Sequence, residues 1–211
     1  MQLYTRAASS CSFRVRIALN LKGLTCEFIP VVAKDQSAQS FRNINPQGLV
    51  PVLVNGDDRI GQSLAIIEYL EERFGPPSLL PGDPAGRART RAISQYIVSD
   101  IQPLQNTGID AQLDRWGVNA MEWKQHFIKR GFSALEDMLG MGTEPRKFCH
   151  GDSPTIADCC LVPQVWNAVN RYGVELSAYP NIEAVYEECV QLPAIDAAMP
   201  EKQSDYTPPT D

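Results

Sequence analysis

The spacing of apolar and polar positions divides the chain into an α/β region and a helical region. Up to about residue 80, short apolar runs alternate with segments of helical period, which predicts the order β-α-β-α-β-β-α. The predicted strands cover 2–4, 26–32, 50–54 and 59–62, and the predicted helices begin after residue 9, within 34–43 and after Ser63 as N-cap. The sequence therefore predicts a small mixed sheet covered by helices.

A Pro- and Gly-rich stretch, 79–84, follows this region and is typical of a linker. Beyond it, the apolar positions recur at helical spacing over 85–105, 119–138, 156–170, 182–191 and 193–199. Residues 201–211 are polar and Pro-rich, and we expect a loosely ordered tail there. We therefore predict an α/β domain, residues 1–80, followed by an all-helical domain, residues 85–211.

The first candidate site is the turn Ser9-Ser10-Cys11, between a predicted strand and a predicted helix. At the start of a helix several backbone N–H groups are unpaired and the helix dipole is positive. A thiolate would be stabilised there, whether it belonged to Cys11 or to a bound small thiol. Alternatively, Ser9 or Ser10 only caps the helix.

Two further dipeptides carry candidate chemistry. A proline at a strand start is compatible with a cis Val50-Pro51 bond, which would leave the Val50 N–H and C=O free to pair with an extended peptide. Gln62-Ser63 places an amide and a hydroxyl at a helix start, which suits an α-carboxylate. The alternatives are an ordinary trans proline and simple helix capping.

Composition narrows the class of ligand. Hydrophobic residues make up 44% and charged residues 21% of 211, and the net charge of −6 disfavours nucleic acid as a partner. No apolar run approaches the roughly 20 residues that span a bilayer, and no apolar signal core opens the chain. Six cysteines lack zinc-like spacing. We therefore expect a reduced cytoplasmic protein with a small-molecule ligand, no membrane partner and no metal.

The stretch SSCSFRVRIAL, 9–19, closely resembles the signature of zeta-class glutathione transferases, a class that includes maleylacetoacetate isomerases. The likeness extends over nearly the whole chain, through 45–46, 50–51, 62–72, 101–106, 151–152 with 157–158, and 161–165. The first stretch and the helix after Gln62 are specific to the class. The resemblance implies a thioredoxin-like N-terminal domain followed by an all-helical C-terminal domain, with glutathione as the cofactor.

The resemblance also implies the roles of individual residues. Ser9 would donate a hydrogen bond to the glutathione sulfur, with Ser10 and Cys11 beside it, and Cys11 would support the reaction rather than act as its nucleophile. The remaining cofactor contacts would be made by the backbone of Val50 with Pro51 in cis, by Gln62 and Ser63 at the γ-glutamyl end, and by Gln105 or Asn106 from the helical domain.

The implied reaction is the cis–trans isomerisation of maleylacetoacetate to fumarylacetoacetate in tyrosine and phenylalanine breakdown, by a homodimer. Arg171 matches one family arginine that would meet a carboxylate of the substrate. Ala8 stands where family members commonly have a second arginine, and Arg6 is the candidate substitute. The alternatives are a maleylpyruvate isomerase, a general transferase for small electrophiles or α-halo acids, and a non-catalytic binding protein. The intact set of Ser9, Gln62 and Ser63 argues against the last.

Overall fold

The computed structural model describes residues 1–141 and 146–208. The chain forms two compact units. The first contains Met1–Leu79 and the chain from Gln191 on, and the second contains Leu80–Val190. The domain limits expected from the sequence, 1–80 and 85–211, therefore differ from these units in the chain after Val190.

The first unit is built on a four-stranded mixed sheet. Its strands are β1 (Gln2–Thr5), β2 (Glu27–Pro30), β3 (Val52–Asn55) and β4 (Asp58–Gly61), in the order β2-β1-β3-β4. β1 pairs in parallel with β2 and antiparallel with β3, which in turn pairs antiparallel with β4. The predicted strands are confirmed, with β3 beginning two residues later than expected, and β2 lies at one edge of the sheet.

The helices of the first unit are α1 (Ser10–Leu21), α2 (Gln39–Arg42), which follows a 3₁₀ helix at Ala33–Ser37, and α3 (Ser63–Phe74). The predicted order β-α-β-α-β-β-α is thereby confirmed. One boundary was wrong, because Gln62 is the N-cap of α3 and Ser63 is its first helical residue.

The second unit is helical throughout its described residues. Its elements are α4 (Pro84–Gln95), a π-helical segment (Tyr96–Ile101), α5 (Gln102–Gln105), a 3₁₀ helix (Thr107–Ile109), α6 (Asp110–Arg115), α7 (Ala120–Gly140), α8 (Ile156–Tyr172) and α9 (Pro180–Val190). The long predicted helices are confirmed. The π-helical segment was not predicted. It directly precedes the turn that contains Pro103, which lacks an N–H for the regular helical ladder.

Helix α8 forms the centre of the second unit, with Ile156–Ala168 buried. Thr155 and Asp158 form a capping box at its start, in which Asp158 Oδ2 accepts hydrogen bonds from Thr155 N at 2.7 Å and from Thr155 Oγ1 at 2.8 Å. Asp158 Oδ1 accepts a third bond from Cys149 N at 2.8 Å. Burial raises the pKa of Asp158, and these hydrogen bonds oppose that rise. The carboxylate thus joins the start of α8 to the loop before it.

The C-terminal segment belongs to the first unit. It contains α10 (Pro193–Asp196) and a 3₁₀ helix (Pro200–Lys202), and the side chain of Asn20 donates to Ala194 O at 2.9 Å. Ala7 N donates to Asp205 Oδ2 at 2.9 Å. The expectation of a loose tail was therefore wrong at least as far as Asp205, while 209–211 lie outside the described residues.

Candidate active site

The start of α1 combines helix capping with free hydrogen-bond donors. Ser9 is the N-cap, and its Oγ accepts a hydrogen bond from Ser12 N at 3.3 Å. A hydroxyl that accepts one bond still carries its own proton, which it can donate to another group. Within the described chain, the N–H groups of Ser10 and Cys11 have no hydrogen-bond acceptor. The capping interpretation is confirmed, and it leaves the Ser9 proton available to a ligand.

The start of α3 is marked by an unusual backbone conformation. Gln62 has φ 67°, and it is the only non-glycine residue with a positive φ in the part of the chain that the structure describes. Such conformations cost free energy and are concentrated at ligand sites. The Gln62 amide donates to Gln47 Oε1 at 2.9 Å, and the buried Ser63 begins the helix.

The bond between Val50 and Pro51 is cis, as the sequence suggested. Asn45 Nδ2 donates to Leu49 O at 2.7 Å and orders the turn just before it. The Val50 N–H and C=O form no hydrogen bond with any residue that the structure describes. Because Tyr4 pairs with Val52 in antiparallel strands, Val50 lies beyond the end of these paired strands, on the side where β1 leads into the Ser9 turn.

Arg14 joins the starts of α1 and α3. Its Nη1 donates to Cys11 Sγ at 3.7 Å and to Ser63 Oγ at 3.3 Å. The side chain is completely buried, and its Nε and Nη2 have no hydrogen-bond partner in the described chain. Arg14 was not among the site residues predicted from the sequence. The signal that could have indicated it is its position, together with Arg16, in the otherwise apolar run 13–19.

Arg16, two residues further along α1, is equally buried, but all three nitrogens of its guanidinium donate hydrogen bonds. Its guanidinium donates to Ala198 O at 3.1 Å, Thr5 Oγ1 at 3.2 Å, Arg6 O at 3.2 Å and Ala7 O at 3.0 Å. Burial lowers its pKa to about 10, and the charge of Asp205 opposes this shift. Arg16 therefore fixes the chain that leads into Ser9.

Arg6, the candidate carboxylate anchor, is half-buried two residues before Ala8. Its backbone N–H donates to Ser12 Oγ at 3.4 Å, and its carbonyl accepts from Ser9 N at 3.1 Å. Its guanidinium forms no hydrogen bond or ion pair with the residues described.

In the second unit, the two candidate cofactor contacts differ in accessibility. Gln105 is buried, and its amide exchanges two hydrogen bonds of 2.9 Å with Gln164. Asn106 is exposed, and its Oδ1 accepts a hydrogen bond from Gly108 N at 2.9 Å. Of the pair, Asn106 is therefore the one whose side chain solvent can reach.

Arg171, the other candidate anchor, lies at the end of α8 in the second unit. Its guanidinium carbon is 5.7 Å from the centre of the Tyr172 ring. Tyr172 in turn donates from its hydroxyl to Gln105 O at 3.0 Å. Burial raises the pKa of Tyr172, while Arg171 opposes the rise. Tyr172 thus connects Arg171 to the chain segment that carries Gln105 and Asn106.

The described residues contain neither a candidate metal site nor a candidate membrane span. Their His, Cys, Asp and Glu side chains form no group of three or more that could hold a metal ion. None of their helices combines the length and apolar character needed to cross a bilayer.

The first unit thus carries a small mixed sheet, a cis-proline before β3 and two helix starts that present donors, and a helical unit follows it in the chain. This combination defines the glutathione-transferase fold. Residues 3–78 match the family model of the glutathione S-transferase N-terminal domain, and residues 109–188 match that of the C-terminal domain.

Known proteins resemble the chain over nearly its full length. Mouse maleylacetoacetate isomerase is 45% identical over 96% of this chain and 94% of its own. The holo structure of a bacterial maleylpyruvate isomerase of the zeta class is 40% identical, with a TM-score of 0.94 over 98% of this chain and 100% of the other. A maleylacetoacetate isomerase from Methylobacterium extorquens, solved with malonate and glutathione bound, is 35% identical, with a TM-score of 0.93 over the same shares. The chain belongs to the zeta class of the glutathione S-transferase family.

Proposed function

We propose that this protein is a glutathione-dependent cis–trans isomerase that converts maleylacetoacetate to fumarylacetoacetate. The observation that carries the proposal is Ser9, whose hydroxyl is fixed as an acceptor by Ser12 N and keeps its proton for a bound sulfur. The full-length likeness to mouse maleylacetoacetate isomerase supports the choice of reaction.

The free groups of the first unit fit glutathione. An extended peptide needs a backbone donor and acceptor, which Val50 offers without a partner in the described chain. A terminal carboxylate needs N–H and O–H donors, which the start of α3 offers at Ser63. We therefore assign the cysteinyl backbone to Val50, beside Pro51, and the γ-glutamyl end to Gln62 and Ser63. In the second unit, accessibility favours Asn106 over Gln105 as a further contact.

Bound glutathione would supply a thiolate that adds to the cis double bond and leaves again after rotation about the resulting single bond. A free thiol has a pKa of about 8.5, so the protein has to favour the charged form at neutral pH. Ser9 does so by donating a hydrogen bond from its hydroxyl to the sulfur, and the uncommitted N–H groups of Ser10 and Cys11 add the positive end of the α1 dipole. Cys11 borders the sulfur and supports the site.

The substrate carries two carboxylates, and two arginines are candidates to bind them. Arg171 is assigned to one carboxylate because it matches a family arginine. Arg6 is assigned to the other, because its guanidinium is uncommitted within the described chain and Ala8 offers no charge. Bound malonate, a small dicarboxylate, in the Methylobacterium structure supports this class of ligand.

Maleylpyruvate is the second candidate substrate. The structural likeness to a maleylpyruvate isomerase, with a TM-score of 0.94, supports this substrate. Maleylpyruvate and maleylacetoacetate also share a cis double bond between carbonyl-bearing carbons, so the same chemistry would apply to both. General transfer of glutathione to small electrophiles or α-halo acids would use the same site. We further propose a cytoplasmic homodimer that acts in tyrosine and phenylalanine breakdown.

An ultraviolet assay of maleylacetoacetate isomerisation, with and without glutathione, tests the proposal. We expect turnover only with glutathione, and no net consumption of it. Turnover without glutathione would exclude the mechanism. Activity with maleylpyruvate and none with maleylacetoacetate would reassign the substrate, while binding of glutathione without any turnover would support a non-catalytic protein.

A further inference from the structure

Arg14 is a buried cation that forms no ion pair with the described residues of the first unit. Its side chain is completely buried, and it forms no ion pair with a carboxylate of the described chain. Two of its three nitrogens, Nε and Nη2, have no hydrogen-bond partner there. Burying a charge and leaving its donors unsatisfied both cost free energy. The fold alone gains no stability from such a group, whereas a bound anionic ligand would offset its cost.

The contacts that Arg14 does make lead to the candidate site. Its Nη1 donates to Ser63 Oγ at 3.3 Å and to Cys11 Sγ at 3.7 Å. A guanidinium has no acceptor, so at both contacts the partner must accept. Ser63 therefore has to direct its own proton elsewhere, and no described residue accepts it. The Ser63 hydroxyl is fixed as a donor.

We propose that Arg14 is a positioning residue of the glutathione site: it fixes the Ser63 hydroxyl as a donor to the α-carboxylate of the γ-glutamyl group and places a positive charge behind that carboxylate. The inference rests on the proposed function. It adds that the charge missing around Arg14 is supplied by the ligand itself. Arg14 contributes to affinity through Ser63, without contact with the reacting atoms.

The test is a double-mutant cycle on Arg14→Met and Ser63→Ala, read as the Kd of glutathione by titration calorimetry without turnover. We expect each single variant to weaken binding about tenfold, which is typical of a lost hydrogen bond to a charged group. We expect the double variant to bind within about twofold of the weaker single variant, because both changes break one chain of interactions. If the factors by which the two single variants weaken glutathione binding multiply in the double variant, the proposal is wrong.

A ligand without the α-carboxylate, 4-aminobutyryl-cysteinylglycine, provides a second readout. We expect Arg14→Met to change its Kd less than about twofold, since the carboxylate that Arg14 serves is absent. An equal loss for both ligands would assign Arg14 to general folding of the site. Arg14→Lys keeps the charge and a donor and should lose less glutathione affinity than Arg14→Met.

Thermal unfolding without ligand separates this role from a structural one. Removing an unpaired buried charge should leave the midpoint of Arg14→Met unchanged or higher. Arg16→Met is the matched control, and it should lower the midpoint because it breaks four hydrogen bonds. If Arg14→Met unfolds, the charge is needed by the fold and the proposal is wrong. If the wild-type protein does not bind glutathione, the proposed function fails instead.

Discussion

Replacing Ser9 with alanine removes a hydroxyl that caps α1 and that is proposed to bind the glutathione sulfur. The magnitude of each loss can be estimated from the structure. As N-cap, Ser9 Oγ accepts from Ser12 N at 3.3 Å, slightly longer than an ordinary N–H···O bond. An N-cap serine replaced by alanine costs about 0.5–2 kcal/mol, and the long contact favours the lower half of that range. For a chain of this length, about 1 kcal/mol lowers the thermal midpoint by about 2–4 °C.

The catalytic loss should be larger. A hydrogen bond to a charged group is worth about 1.5–3 kcal/mol, so loss of the Ser9 proton should slow glutathione-dependent isomerisation about 10- to 150-fold. Ser9→Gly separates the two effects, because glycine at an N-cap costs only a few tenths of a kcal/mol relative to serine. We therefore expect equal losses of activity in Ser9→Ala and Ser9→Gly, with the greater loss of stability in Ser9→Ala.

The measurement combines the ultraviolet isomerase assay with urea unfolding of both variants. The pKa of the bound glutathione thiol, followed by thiolate absorbance, should rise in both variants by about 1–2 units if the hydroxyl stabilises the thiolate. A Ser9→Ala enzyme with wild-type turnover would refute the assignment of Ser9. If activity instead falls in proportion to stability, and therefore more in Ser9→Ala than in Ser9→Gly, then Ser9 acts only as a helix cap.

Three further predictions concern other parts of the chain. Arg171→Ala should raise the KM of dicarboxylate substrates while leaving the Kd of glutathione unchanged, and an equal change in both would assign Arg171 elsewhere. Burial raises the pKa of Glu71, but hydrogen bonds from Lys22 and from Leu79 N outweigh it and hold that pKa below 4.5. A group with a lowered pKa in the fold stabilises the folded state above its unfolded pKa, and this contribution is lost as the pH falls through the folded pKa. Glu71→Gln should therefore flatten the fall in the free energy of unfolding, measured in urea, as the pH drops below 4.5. Gln62→Gly should relieve the positive φ and stabilise the fold by about 1 kcal/mol in urea unfolding, and its failure to do so would show that the backbone is unstrained.

Local signals in the sequence were sufficient for most of the fold. Gly75 marks the end of α3, and the Thr155–Asp158 spacing marks the start of α8. Each signal lies within a few residues of the feature it predicts, so chain neighbours alone determine it. The site turn at Ser9 was found for the same reason.

Features that depend on distant residues were missed. Nothing near residues 193–205 indicates that this segment packs on the first unit, because its partners, among them Ala7 and Asn20, are more than 170 positions away. Arginine is rarely buried unless paired, so the sequence gives no reason to expect Arg14 and Arg16 inside the fold. The four acceptors of Arg16 come from two separate parts of the chain, residues 5–7 and Ala198, which no periodicity can reveal.

Ser9, the N-cap of α1, and Arg14, within α1, have opposite relations to the stability of the fold. At Ser9 the oxygen accepts the hydrogen bond that caps the helix, and the hydroxyl proton remains available to the ligand. The same group therefore serves both the fold and the site. At Arg14 the fold bears an unpaired charge, and only the proposed ligand offsets it. Selection for stability alone would therefore keep Ser9 and replace Arg14 with an apolar residue. That a buried arginine with two unpartnered nitrogens is present at this position is, on physical grounds, evidence that a ligand requires it.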